Sequence, residues 1–236
     1  MGSLSTALDQ AGLRGGAGER ADKKNYAERF SRAIATLVAN ALRSSKFVGV
    51  TPDADGRRQE APARTSKGFK KLDVNYSTTE LGLGLGVSIK TINFADAGSS
   101  RFTKNYTARD NELRAEATDY HQRQPYAVLV AVVFLPIEAC RDGVRDVSSF
   151  AQAIRLFRHR GGREDARDEP DRFERVFVAL YEHEGDRYGE VVFFDVMDKP
   201  PKQGPPAAGL SFEQFVASVV ETYDARNNPP FEWADD

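Results

Sequence analysis

The sequence predicts an α/β fold, and three patterns carry that expectation. Residues 126–135 are apolar without interruption, the mark of a central strand covered on both faces. Residues 22–45 repeat apolar side chains near the 3.6-residue period (Tyr26, Phe30, Ile34, Leu37, Val38, Ala41, Leu42), the stripe of an amphipathic helix. Between and beyond these, strand-like runs alternate with further helical ones.

Taken in order, residues 1–21 are rich in Gly, Ala and Ser and are expected to form a flexible tail ahead of a single domain over 22–236. Asp22 is suited to cap the first helix. Residues 49–68, dense in proline, glycine and charge, read as a long exposed loop. Strands follow over 69–77 and 83–94, joined by a turn near 78–80 that holds Glu80. The alternation Leu81-Gly82-Leu83-Gly84-Leu85-Gly86 places leucines on one strand face and glycines on the other. It lacks the G-x-G-x-x-G spacing and opens no helix, which argues against a dinucleotide loop; the glycine face instead lets a neighbouring element or a ligand backbone approach closely, with packing the favoured explanation. A helix over 108–122 precedes the central strand. Ser149 and Gln152 suggest a capping box for a helix over 150–159, and residues 160–168 read as a solvated charged loop. Strands near 175–181 and 190–197 flank Gly185-Asp186 as a hairpin. A proline-rich link over 200–206 leads to a last helix over 211–225, capped by Ser211 and Gln214. The aromatics of Pro229-Pro230-Phe231-Glu232-Trp233 are expected to dock on the body, with a dimer contact as the alternative.

Composition narrows the class. With 236 residues, 40% apolar and 29% charged, the chain is long enough for a sizeable core. One cysteine, Cys140, excludes an internal disulfide and fits a reducing compartment. No apolar run reaches the roughly 18 residues of a membrane helix, and no basic patch precedes an apolar segment at the N-terminus, so a cytoplasmic, non-membrane protein is expected. The net charge of −2 gives no overall nucleic-acid signature. It divides unevenly, however. Residues 1–125 hold 20 Lys+Arg against 14 Asp+Glu, and the remainder holds 13 against 21.

The candidate chemistry lies in the basic half. Asp73 falls on one strand and Ser88-Ile89-Lys90 on the next, with Lys90 facing the same way as Ser88. A carboxylate and a lysine brought together on paired strands can hold a divalent cation and stabilise charge on a phosphodiester. On the following helix Glu112, Glu116 and Tyr120 are spaced i, i+4, i+8 and share a face. Other constellations are weak. His121, His159 and His183 lack metal-ligand spacing and read as surface or boundary residues. Cys140 has no histidine near it in sequence, and no Gly-x-Ser-x-Gly elbow is present. Pro52-Asp53 sits in a loop, too far from Ser88 to complete a motif.

The order helix, strand, strand, helix, strand, with Asp73 and Ser88-x-Lys90 on adjacent strands, resembles the PD-(D/E)xK superfamily that includes type II restriction endonucleases. The resemblance covers roughly residues 25–135. It implies a restriction-endonuclease-like core, a mixed central sheet flanked by helices, here with a C-terminal hairpin and helix. Ser88 stands where the family usually has an acid; some restriction enzymes keep Ser-x-Lys and supply a glutamate from the following helix, for which Glu112 and Glu116 are the candidates. Glu28 on the first helix is a further candidate glutamate, and Tyr120 matches the tyrosine of the family's Gln-x-x-x-Tyr pattern. The implied activity is Mg²⁺-dependent DNA cleavage, with Mn²⁺ able to substitute and no nucleotide cofactor. Asp73, a glutamate and the Ile89 carbonyl would hold the ion, and Lys90 would orient water or stabilise charge. Arg57, Arg58, Arg64, Lys67, Lys70, Lys71, Arg101, Lys104 and Arg109 would contact double-stranded DNA. Cutting both strands with one site per chain implies a homodimer acting in restriction or phage defence. A catalytically inactive nucleic-acid- or partner-binding relative and a nuclease acting on RNA are the alternatives.

Overall fold

The computed structural model describes residues 4–12, 14, 20–80, 82–143 and 146–227. It is an α/β structure built on a mixed five-stranded sheet flanked by helices. The strands are β3 (Val74–Thr78), β4 (Gly82–Thr91), β5 (Val128–Pro136), β6 (Arg175–Tyr181) and β7 (Val191–Asp195), in that spatial order. The outer pairs β3–β4 and β6–β7 are antiparallel, whereas β4–β5 and β5–β6 are parallel. Parallel neighbours need a crossover, and helices α3 (Tyr106–His121) and α4 (Ser149–Phe157) supply the two. They cover one face. The long helix α2 (Arg20–Ser45) and α5 (Phe212–Arg226) cover the other, so β5 is buried along its whole length.

The helical stripe of α2 lands as expected: Tyr26, Phe30, Ile34, Val38 and Leu42 enter the core, with Leu37 and Ala41 at its margin. Helix α5 is closed by the anticipated capping box, Ser211 and Gln214 each bonding the other's backbone. At α4 the cap is Ser148 rather than Ser149, because the Ser148 hydroxyl is the one that accepts from the Ala151 N–H.

Several expectations are corrected. The N-terminal stretch is not a featureless tail: Ser5–Ala11 forms helix α1, and Leu4, Ala7, Leu8 and Ala11 are buried in the α2 side of the core. The loop over 49–68 contains β1 (Ala61–Thr65), which pairs with β2 (Gly68–Leu72) as a two-stranded hairpin. The strand expected over 69–77 is therefore two strands, broken at Asp73. Leucines and glycines of β4 do not segregate by face, because the β3 register slips between Tyr76 and Ser77, which face Leu85 and Leu83. Gly84 is the extra residue of this bulge. Leu83 consequently joins the α3 side and Leu85 the α2 side. Close approach does explain Gly86, where a Cβ would lie 2.9 Å from methyls of both Leu72 and Leu129. The C-terminal aromatics lie outside the described residues.

The charged segment after α4 is also more than a solvated loop. Arg163 and Glu174 form an ion pair at 2.8 Å with both side chains 1% exposed. Glu174 also accepts from the Leu129 N–H at 2.7 Å. His121, expected at the surface or boundary, is buried beside it, 3.5 Å from the carboxylate. Burial alone would raise the Glu174 carboxyl; His121, the Leu129 N–H and Arg163 outweigh it and hold the acid below its ordinary range. Removing one partner of such a pair strands a charge in the interior. Arg163→Ala is expected to lower stability in urea denaturation by about 3 kcal/mol or more. A loss below about 1 kcal/mol would mean that the remaining contacts carry Glu174 unaided.

Candidate active site at the open end of strand β4

Beyond the bulge β4 alternates regularly. Val87 and Ile89 point into the α2 side of the core, while Ser88 and Lys90 point to the α3 side. There both meet Glu116. Lys90 Nζ donates to Glu116 Oε1 at 2.6 Å, and Ser88 Oγ donates to Oε2 at 2.5 Å. Glu116, not Glu112, is thus the helix residue that completes the Ser-x-Lys strand. Glu112 lies one turn earlier and forms a surface pair with Arg109 at 2.7 Å.

Asp73 arrives from the other side. The β3–β4 ladder ends at Val74 opposite Val87, so the next N–H of β4 on that edge, Ile89, has no strand partner there. Asp73 Oδ2 accepts it at 2.7 Å. A strand residue turns its N–H and C=O to the same side, so the Ile89 carbonyl faces Asp73 too. Glu116 meets Lys90 in a direct ion pair, while Asp73, anchored on the Ile89 N–H of the same strand, acts on the ammonium through its field.

The charges are unequal. Burial pushes the Asp73 carboxyl up to about 6, against the lowering pull of Lys90 and the Ile89 N–H and with a further upward push from Glu116 and Glu60. Burial would lower Lys90, but Glu116 and Asp73 outweigh it and hold the ammonium above its ordinary value. Lys90 is therefore a fixed cation at neutral pH and not a base. Tyr120 is raised by burial, Glu116, Asp73 and Asp119, and remains a neutral donor; its hydroxyl donates to the Lys70 carbonyl at 2.9 Å. Two carboxylates lie in the field of one ammonium, and among the described residues only Glu116 pairs with it directly. A divalent cation would relieve that excess, and the donors are the hard oxygens that Mg²⁺ prefers. Both Glu116 oxygens keep a further lone pair, so the fit holds with Lys90 and Ser88 in place.

The other expected residues separate into groups. Glu28 lies on the exposed face of α2, paired with Arg32 at 2.8 Å, and takes no part, since α2 covers the opposite sheet face. Arg64, Lys67, Lys70 and Lys71 are on the β1–β2 hairpin that leads into Asp73. Arg57 and Arg58 sit in the loop held against α2, where Asn40 bonds the Ala54 carbonyl and Gln59 bonds Thr36. Arg101 is turned to the Val147 carbonyl at 2.7 Å, and Arg109 is paired with Glu112. The backbone N–H of Lys104 bonds Asp96 at 3.1 Å.

Two features escaped the sequence reading. Asp119 receives both Lys67, at 2.9 Å, and Lys70, at 3.1 Å. This clamps the hairpin to α3. Its signal was the hairpin, hidden inside an apparent loop. The second is a cluster of Glu138, His183 and Glu184, whose donor atoms lie within 4.8 Å of one another. Sequence spacing could not show it, because β5 and β6 bring its members together. Arg14 reaches both His183 and Glu138, so a guanidinium already balances this group.

A cleft of about 1310 Å³ lies at the far edge of the sheet, between β7 and α5, and none of Asp73, Ser88, Lys90 or Glu116 lines it. Among the described residues no helix is long and apolar enough to cross a membrane. No family model matches the chain, and searches of curated proteins and of solved structures returned no match.

The raised Asp73 acid sets a pH dependence. A folded-state value of about 6 against an ordinary 3.8 favours the protonated form, so this stabilising contribution is present below pH ~4 and is lost as pH rises through about 6. In chelator, Asp73→Asn, which keeps an acceptor for Ile89, should be more stable than wild type above pH ~7 by on the order of 2 kcal/mol. The gap should close near pH 4. Urea denaturation across that range reads it; equal curves at pH 7 would show Asp73 is not held against its charge.

Proposed function

We propose that the chain is a Mg²⁺-dependent endonuclease that hydrolyses phosphodiester bonds in DNA, with a restriction-endonuclease-like core spanning α2 to β5. The observation that carries this reading is the convergence of Asp73, Lys90 and Glu116 at the end of β4. Mn²⁺ substitutes for Mg²⁺, and the setting is restriction or phage defence in the cytoplasm. A homodimer follows from the need to cut two strands with one site per chain.

Asp73, Glu116 and the Ile89 carbonyl would hold the ion. When bound, it lowers the pKa of a coordinated water and neutralises charge on the phosphoryl oxygens. The protein's own groups do the rest. Lys90, kept cationic by the two carboxylates, stabilises negative charge developing at the phosphorus and orients the attacking water. Ser88 holds Glu116 in place from the strand position where the family carries an acid. Tyr120, neutral and bonded to Lys70, fixes the helix against the hairpin.

Wild-type protein should nick or linearise plasmid DNA with Mg²⁺ and not with EDTA. Asp73→Ala and Lys90→Ala should each lower the rate by about 100-fold or more. Activity that survives both substitutions removes the proposal.

One observation favours a second reading, an inactive nucleic-acid- or partner-binding relative. Each Glu116 oxygen already has a hydrogen-bond donor, in Ser88 and Lys90, so the site is balanced in part without metal. Metal titration separates the two. In the active protein Mg²⁺ at about 100 times its Kd raises stability by about 2.7 kcal/mol. That gain should vanish in Asp73→Asn, whereas an inactive relative shows none to begin with.

A further inference from the structure

We infer that the β1–β2 hairpin is an unpaired-base platform, so that the substrate is DNA with a single-stranded or gapped stretch beside the scissile phosphate. This rests on the nuclease reading of the neighbouring site and names the form of nucleic acid it takes.

The hairpin Ala61–Thr65 and Gly68–Leu72 has two unlike faces. Ala63 and Leu72 point inward and join the α3 side of the core. The outer face is formed by the cross-strand pairs Pro62–Lys71 and Arg64–Phe69. Phe69 is 69% exposed, with the Arg64 guanidinium 5.5 Å over its ring. A cation resting on one side of an aromatic ring restricts its rotamers and leaves the ring available to stack with a base. Among the described residues Arg64 meets no carboxylate. From 61 to 72 the chain holds four cations, Arg64, Lys67, Lys70 and Lys71, and no acid; Lys67 and Lys70 share Asp119 and Lys71 pairs with Glu60 at 2.9 Å, so four cations face two carboxylates and the hairpin keeps a net positive charge. Bases offer flat π-faces and phosphates offer charge; an exposed aromatic within a cationic ribbon matches both, which a typical protein partner does not.

The platform is held rigidly against the candidate active site. Lys67 and Lys70 bind Asp119, the Ser66 N–H donates to the Asp119 carbonyl at 2.9 Å, and Tyr120 bonds the Lys70 carbonyl. Asp119 and Tyr120 lie on α3, the helix that carries Glu116. Phe69 is four residues before Asp73, about 13 Å along an extended chain, or a few nucleotides from the phosphate that the site would engage. In an intact duplex the base faces are stacked on each other and closed to such a ring. In a gap they are open.

The test uses the full chain in EDTA, with a labelled DNA duplex that is either fully paired or carries a central single-stranded gap containing a fluorescent adenine analogue. Wild-type protein should bind the gapped probe about 10-fold or more tightly than the paired one, and should quench the analogue by stacking. Phe69→Ala should lose both the preference and the quenching, and Phe69→Trp should restore them. Because Phe69 is exposed, neither substitution should change the unfolding midpoint. Equal binding to both probes, or an unaltered preference in Phe69→Ala, overturns the inference. The nuclease reading is judged separately, by Mg²⁺-dependent cleavage of plasmid DNA and its loss in Lys90→Ala. If neither probe is bound, the hairpin belongs to some other partner and the inference also fails.

Discussion

The Lys90–Glu116 ion pair is the contact on which the candidate site depends. It joins β4 to α3 at the point where β3 has turned away, inside a region from which water is largely excluded. A charge there is tolerated only with a partner and further hydrogen bonds. Lys90 has Glu116, and Glu116 has both Lys90 and Ser88. Asp73 has the Ile89 N–H and, among the described residues, no ion-pair partner, so burial pushes its acid up despite the pull of Lys90, while the lysine remains charged. The site therefore holds excess negative potential at a cost in stability.

The break at Asp73 has two consequences. It ends the β2 hairpin and starts β3, and it places a carboxylate against a strand N–H that the ladder cannot reach. Gly86 works beneath it, since only a residue without a Cβ lets Leu72 and Leu129 meet over the strand. The bulge at Gly84 reverses which face Leu83 and Leu85 serve, but it lies before Ser88 and leaves their shared orientation with Lys90 intact. Packing on one side of β4 and the candidate site on the other are thus set by different parts of the same strand.

Cationic residues that look uniform in the sequence do different work. Those on the hairpin face outward beside the candidate site or clasp α3 through Asp119. Arg101 and Arg109 are held by local partners, and Arg57 and Arg58 belong to a loop packed on the far helix. Arg163, in what reads as a solvated run, is among the most deeply buried charges described, paired to Glu174.

The sequence by itself determined the α/β class, the amphipathic faces of α2 and α5, the central strand β5 and the alignment of Ser88 with Lys90, because each depends on local periodicity. It also placed Asp73 and the two helical glutamates within one stretch of chain, but i, i+4 spacing makes Glu112 and Glu116 equivalent. Only the tertiary structure separated them, since the choice turns on how far along β4 the helix packs. The same holds for the hairpin hidden among prolines and glycines, the buried Arg163–Glu174 pair and the meeting of His183 with Glu138. Each joins segments distant in the chain, where burial and charge balance decide the partner and no repeating pattern records it.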